Sequence, residues 1–209
     1  MLEYKEMEIL RRKKISKKEE AIIIGSLLGD GYLDKNRYGS TALEIKQKAS
    51  HRDYIFWLHQ ELKNICGREP YQRKDNFQWR LLTRYGKELN VYYDLFYENK
   101  KKVIKQEIKY LLKHPLSLAV WYMDDGTLDF RSDGHYAYRF ATYCFSKEEI
   151  KILVEVLENN FNLKATIQKS KMREKIQYRL YIGKNSRIKF KDLIQPYIVK
   201  SFRYKLPYN

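Results

Sequence analysis

The sequence predicts an α+β protein built as two like halves, and three observations predict it. The apolar run AIIIGSLLGDG at 21–31 has a near copy, LAVWYMDDG, at 118–126. The elements following each run recur in the same order, with Asp30 and Asp125 separated by 95 positions. Within the later strands apolar and polar residues alternate, the pattern of a sheet covered on one face. A chain of 209 residues can bury one substantial core or two small ones sharing an interface, so a two-lobed molecule fits its size.

In the first half, hydrophobic period predicts a helix from about Lys18 to Gly29. Tyr32 and Leu33, a polar turn around Lys35 to Gly39, and a strand Leu43–Gln47 follow. An amphipathic helix over Arg52–Ile65 carries Tyr54, Ile55, Leu58 and Leu62 on one face. Gly67 and Pro70 break it, and Tyr71–Lys74 with Phe77–Leu82 read as a hairpin turning at Asp75 and Asn76. Lys87–Tyr97 is again helical, and the lysine-rich stretch Asn99–Gln106 reads as a linker, dividing the chain into 1–105 and 106–209.

The second half repeats this plan. A helix Pro115–Asp125 leads to a turn near Ser132–Gly134 and a strand Tyr136–Phe145. Ser146 with Glu149 three residues on forms a capping box that opens a helix Lys147–Asn160. A hairpin of Leu163–Lys169 with Gln177–Ile182 comes next, then a closing helix from Ser186 to about Tyr197. In the hairpins Phe77, Trp79 and Leu81 oppose Gln78, Arg80 and Leu82, while Ile176, Tyr178 and Leu180 oppose Gln177, Arg179 and Tyr181. Each sheet is expected to turn an apolar face to its helices and a basic, polar face outward.

Lys and Arg number 42 against 26 Asp and Glu, a net charge of +16 spread along the whole chain. Such an excess fits a polyanion, most simply nucleic acid, and also fits a plain solvated basic surface. Cys66 and Cys144 form neither a metal pattern nor a disulfide framework, and both are expected as core thiols in a reducing compartment. His51, His59, His114 and His135 lack the spacing of a zinc site and read as surface or packing residues. No run has the length of a membrane span or the form of a signal peptide, so an intracellular, unsecreted protein is expected.

One Asp-Gly after an apolar helix is often only a helix stop. Two in a repeat are different, because paired helix ends would bring two carboxylates side by side, a site for a divalent metal. The runs at 23–31 and 118–126 resemble the two copies of the LAGLIDADG motif of homing endonucleases. The resemblance continues through PLSLAVWYMDDG at 115–126 and YKLP at 204–207, over nearly the whole chain.

The resemblance implies a monomer with internal pseudo-twofold symmetry. Two αββαββα repeats would form a saddle of antiparallel sheets around two central motif helices. Gly25 and Gly29 in one helix and Ala119 in the other would permit close packing, while Gly31 and Gly126 would take the left-handed conformation that ends a helix. Asp30 and Asp125 would hold Mg²⁺, with Mn²⁺ as a substitute. The family places the ligand immediately before glycine, which favours Asp125 over Asp124; Asp124 and Gly29 would contribute backbone carbonyls. Val120 is a departure, standing where the motif usually has a small residue. Lys102 and Lys205 match the lysines that such enzymes set beside the metal, Lys205 with matching flanks and Lys102 within a three-lysine run. Gln47 resembles the polar residue near the metal's waters, and its second-half counterpart is open between Tyr143 and Gln168.

The implied activity is site-specific cleavage of both strands of a long, asymmetric DNA target by metal-activated water. It would leave 5′-phosphate ends and short 3′ overhangs and so promote mobility of a host intron. Candidate DNA contacts are Lys46, Lys48, Arg73, Lys74, Gln78, Arg80, Arg139, Gln168, Lys169, Lys171, Arg173 and Arg179, mostly to phosphate. Alternatives are an RNA maturase acting on its host intron with the same scaffold, and a catalytically inactive DNA-binding regulator. A bacterial or archaeal cytoplasm or an organelle would house any of these.

Overall fold

Local signals start both central helices. Ser16 caps α1 (Lys17–Leu28): its Oγ accepts from Glu19 N–H at 3.2 Å, and its own N–H donates to the Glu19 carboxylate at 2.8 Å. The capping box completes the start of the helix, with Glu19 and Glu20 in the first turn beside the positive end of the helix dipole. In α5 (Pro115–Asp125), Pro115 occupies the first turn and the His114 ring nitrogen Nδ1 accepts from Leu116 N–H at 3.1 Å. From Glu19 to Leu28 and from Leu116 to Met123 every residue is buried, and beyond the acidic first turn of α1 both runs are apolar on nearly every side, as expected of central helices. The computed structural model describes residues 15–130, 135–172 and 175–207; Arg173 and the turn expected at Ser132–Gly134 lie outside the described residues.

Each central helix runs straight into a four-stranded antiparallel sheet. After α1 come β1 (Tyr32–Lys35), β2 (Thr41–Gln47), α2 (Arg52–Glu61), β3 (Tyr71–Gln72), β4 (Trp79–Leu82) and α3 (Asn90–Phe96). A two-stranded hairpin, β5 (Tyr97–Glu98) with β6 (Lys101–Lys102), and the short α4 (Ile108–Leu111) lead to α5. The second half continues with β7 (Gly126–Phe130), β8 (Tyr136–Phe140), α6 (Lys147–Phe161), β9 (Thr166–Met172), β10 (Lys175–Ile182) and α7 (Arg187–Ile194). The strand orders are β1-β2-β4-β3 and β7-β8-β10-β9, the same plan twice.

The repeat is in register as well as in order. Tyr32 pairs with Glu44 and Thr127 with Arg139, so both partners move by the 95 positions that separate the motif acids. The same offset relates the starts of α2 and α6, Arg52 and Lys147. Beyond that point the halves diverge, since β9 and β10 form a much longer hairpin than β3 and β4.

Several boundaries differ from the sequence expectation. Helix α2 stops at Glu61, four residues short of Ile65, although Tyr54, Ile55, Leu58 and Leu62 are all fully buried as expected. The strand expected to reach Phe145 ends at Phe140, where Thr142 N–H turns back to the Phe140 carbonyl. Strand β7 begins directly at Gly126, with no turn between helix and sheet. The lysine-rich stretch is no loose linker: Asn99 and Lys100 take left-handed φ of 48° and 64°, a tight turn that returns Lys102 to the body of the protein. Ile104 N–H then donates to Glu149 at 2.8 Å, tying the connection to α6.

Buried side chains of both halves form one continuous core. Under α5, Tyr122 meets Tyr138, Phe140 and Phe190 edge-on at 5.3 to 5.6 Å between ring centroids. Cys66 joins this core, whereas Cys144, expected there too, is exposed. Among the described residues no helix is long and apolar enough to cross a membrane.

Candidate active site

The two central helices touch through residues related by the repeat. A Cβ on Gly25 would lie 2.7 Å from Val120 Cβ and 2.6 Å from the Ser117 carbonyl; one on Gly29 would lie 2.5 Å from Asp124 Cβ. Gly25 faces Val120 and Gly29 faces Asp124, each pair again 95 positions apart, so the pseudo-twofold axis passes between the helices. The glycines of α1 thus make room for the larger side chains of α5. Ala119 is fully buried, but the close approach to Gly25 belongs to its neighbours Ser117 and Val120.

Neither helix ends on a left-handed glycine. Gly126 has φ −79° and ψ 150°, and among the described residues Gly39 is the glycine with positive φ. Close approach explains the motif glycines instead: a Cβ on Gly126 would lie 2.0 Å from the Tyr122 ring, and one on Gly31 would lie 2.7 Å from the Ser26 carbonyl. Both positions need the absence of a side chain, not an unusual backbone.

These helix ends bring Asp30, Asp124 and Asp125 together. Asp30 lies open as a residue, yet the walls of the site desolvate its carboxyl enough to raise its pKa. Gln47 Nε2 donates to the Asp30 Oδ2 at 2.7 Å and, with the lysine charges of Lys102 and Lys205, works against that rise. Asp125 is half-buried, and desolvation together with the Asp30 charge raises it to about 7. Asp124 turns its carboxylate toward the first half. It accepts from Asp30 N–H at 3.3 Å, from the Tyr54 hydroxyl at 2.9 Å and from Gln47 at 3.4 Å, and desolvation followed by the Asp30 charge raises it well above 3.8. The side chain of Asp124 therefore holds the end of α1, a structural part beyond the backbone carbonyl expected of it.

Each helix C-terminus also receives one lysine. Lys102 Nζ donates to the carbonyls of Gly29 at 3.0 Å and Gly31 at 2.8 Å. Lys205 Nζ donates to the Met123 carbonyl at 2.6 Å and the Tyr122 carbonyl at 3.3 Å, and sits 4.9 Å from the centre of the Phe202 ring. Free carbonyls and the negative end of the dipole make a helix C-terminus a natural seat for a cation. Burial lowers both lysines, Lys205 to about 8, while the aspartates pull the other way. Lys102, ambiguous in its three-lysine run, is selected by the β5–β6 turn. Cys144 lies close enough to Lys102 and Asp125 for its thiol to feel both charges.

The second half does not repeat Gln47. By strand register its counterpart is Thr142, not Tyr143 or Gln168. Because β8 ends at Phe140, Thr142 has left the sheet, and its hydroxyl donates to the Tyr178 carbonyl at 3.1 Å. Gln168 accepts from Arg179 Nε at 3.2 Å on the sheet face instead. His51 and Tyr54 were not singled out as site residues in the sequence. Their signal was weak: His51 lies four positions beyond Gln47, and Tyr54 reads as one more apolar residue of an amphipathic helix.

On the sheets, cross-strand partners share a face. Lys46, Arg80 and Tyr71 stand in one row of the first sheet, with Glu44 on the same face. Glu44 pairs with Arg80 and, at 3.2 Å, with Lys46. In the second sheet Arg139 and Arg179 share the outward face, and Arg139 pairs with Asp129. Lys169 and Lys171 are opposite Tyr178 and Ile176 and so stand on the other face of the hairpin, away from Arg179. Lys48 and Lys74 are exposed, Gln78 is half-buried, and Arg73 pairs with Asp75 at 2.5 Å. Phe77 and Ile176 do not join the apolar faces expected of them; they are 67 % and 54 % exposed.

A family model described as the LAGLIDADG DNA endonuclease family matches residues 20–190. The chain is 30 % identical over 203 residues to the cytochrome b mRNA maturase bI2 of Saccharomyces cerevisiae, covering 89 % of this chain and 46 % of that protein. It is 32 % identical over 205 residues to a probable intron-encoded endonuclease of Wickerhamomyces canadensis, covering 93 % of this chain and 86 % of the relative. The solved structure of the homing endonuclease I-WcaI bound to its DNA recognition sequence superposes with a TM-score of 0.82 at 29 % identity, over 94 % of this chain and 89 % of that one. With the repeated sheets, the paired helix ends and a family match across most of its length, this chain belongs to the LAGLIDADG DNA endonuclease family.

Proposed function

We propose that this protein is a site-specific endonuclease that cuts both strands of a long, asymmetric DNA target and so promotes mobility of a host intron. The observation that carries this reading is the pair of helix ends, each presenting an aspartate with a lysine bound behind it. We take the functional halves to be residues 1–105 and 106–209, one for each half of the target. Supporting the reading, the Wickerhamomyces relative is named a probable intron-encoded endonuclease, and the similar solved structure is bound to its DNA recognition sequence. Double-stranded DNA is the proposed partner, within a cell or organelle, and the net charge of +16 suits it.

The acids fit a divalent cation. Desolvation first and the Asp30 charge second raise the proton affinity of Asp125, and a positive ion held by the two acids would relieve their repulsion as a proton does. Among the described residues no group of three or more His, Cys, Asp and Glu side chains is set for a metal. A two-carboxylate site suits Mg²⁺, which keeps much of its water and takes phosphate oxygens as ligands, and Mn²⁺ can stand in for it. Asp30 and Asp125 would hold the ion; Gly29 is a weaker candidate because Lys102 already binds its carbonyl. When bound, the cation supplies an activated water and stabilises the departing 3′ oxygen. Gln47 orients the Asp30 carboxylate, and Lys102 and Lys205 place positive charge beside the phosphate. Lys46, Arg80, Arg139 and Arg179 line the sheet faces offered to DNA.

Incubating the protein with a library of DNA targets in Mg²⁺ tests this reading, with Asp30→Asn and Asp125→Asn alongside. Wild type should cut a target that neither variant cuts in both strands. No cut target, or full cutting by both variants, overturns it. A second reading, RNA maturase activity, is favoured by the likeness to the yeast cytochrome b maturase, of which this chain spans less than half. Splicing of the host intron RNA with and without the protein tests it.

A further inference from the structure

We propose that His51 is a positioning residue for one half of the site only: it fixes the amide of Gln47 so that the NH₂ group, not the carbonyl, faces Asp30. As a consequence the two strands of the target are cut at unequal rates. The inference rests on the endonuclease reading.

An amide can be turned over with little change in shape, so something must choose which end meets the carboxylate. In this structure Gln47 Nε2 donates to Asp30 at 2.7 Å and to Asp124 at 3.4 Å, while Gln47 Oε1 lies 3.0 Å from His51 Nδ1, the contact that holds the other end of the amide. Turned over, the amide would set a carbonyl oxygen against the carboxylate and an NH₂ group against the ring nitrogen. Attraction at both ends requires a hydrogen on His51 Nδ1, so the neutral ring is the Nδ1–H tautomer. The surroundings keep the ring neutral. His51 is buried against Phe202, 4.1 Å between ring centroids, and burial followed by the charges of Lys48 and Lys205 lowers it to about 4. A neutral donor locks the amide without adding another charge to a site that already holds two lysines.

Among the described residues the second half has no such chain. The positions equivalent to Gln47 and His51 are Thr142 and Ser146. Thr142 Oγ1 is bound to the Tyr178 carbonyl, and Ser146 Oγ accepts from Glu149 N–H as the cap of α6. Among the described residues Asp125 therefore has no oriented side-chain donor like the one on Asp30, and removing His51 should be felt at one scissile phosphate.

The test is His51→Phe, which keeps a ring against Phe202 and removes Nδ1. With strand-labelled target DNA and Mg²⁺, it should slow cleavage of one strand about tenfold, the order expected for loss of one positioning hydrogen bond, and leave the other strand at the wild-type rate. Nicked DNA should accumulate. Gln47→Ala should slow the same strand, and the double variant should be no slower than Gln47→Ala alone. Equal slowing of both strands, or additive effects, overturns the proposal. The nitrogen chemical shifts of His51 in metal-free wild type give a second measurement independent of cleavage and of the variant's folding. They should show the hydrogen on Nδ1; an Nε2–H ring overturns the proposal. If wild type cuts no target, the endonuclease reading fails, and the tautomer still reports on the orientation of Gln47.

Discussion

Asp125→Asn should abolish cleavage and at the same time stabilise the metal-free protein. In the folded chain the Asp125 pKa is raised from 3.8 to about 7 by desolvation first and by Asp30 second. A carboxyl raised in this way gives stability that is fully present below about 3.8, where it is protonated in both states, and lost as pH rises through 7. Above pH 7 the ionised group is a burden to the folded state. The change from 3.8 to about 7 corresponds to roughly 4 kcal/mol at ~1.4 kcal/mol per tenfold change in proton affinity. Part of this is not recovered, because Lys102 and Lys205 lose a partner when the charge is removed. A net gain of about 1–2 kcal/mol at pH 8 is expected, or ~3–6 °C in Tm for a chain of this size. Thermal unfolding with a chelator present, at pH 8 and again near pH 4, measures it. The gain should shrink toward zero at the lower pH; an Asn variant less stable than wild type at pH 8 would refute the electrostatic account.

Three further outcomes follow from the geometry. Gly25→Ala should destabilise by about 1–3 kcal/mol in denaturant unfolding, and adding Val120→Ala should recover only part of it, since the Ser117 carbonyl remains in the way. Tyr54→Phe removes the fully buried hydroxyl bound to Asp124 and should cost about 1–3 kcal/mol, again read by denaturant, with a still higher pKa at Asp124. With Asp125 holding the ion as proposed, binding of Mg²⁺ in the presence of target DNA would displace the proton of Asp125. Calorimetry should therefore show affinity rising with pH below about 7 and levelling above it; affinity flat from pH 5 to 8 would contradict the raised pKa.

The central helices were legible because their signals are local. An unbroken apolar run ending in an acid and a glycine is a property of consecutive residues, and α5 falls on Pro115–Asp125 as expected. The α6 capping box was legible for the same reason, and so were the repeat and the acids it pairs. Short strands were harder. GTLDF at 126–130 alternates over too few residues to stand out, and nothing in ATYCF at 141–145 announces that the strand has already ended. The glycine expectation failed at Gly31 and Gly126 because sequence shows that a side chain is absent without showing whether backbone or neighbour demands it.

By itself, then, the sequence determined the fold class and the family and pointed to the two acids now proposed for the site, all carried by a repeated pattern of neighbouring residues. Only the tertiary structure decided which lysine of three closes on Gly29, that Asp124 holds the end of α1, and that Gln47, backed by His51, reaches Asp30 while its counterpart Thr142 turns to the Tyr178 carbonyl. These depend on contacts between residues tens of positions apart, where one early strand end or one tight turn selects which side chain arrives. For that reason a chain with two like halves in sequence has two unlike halves in its site.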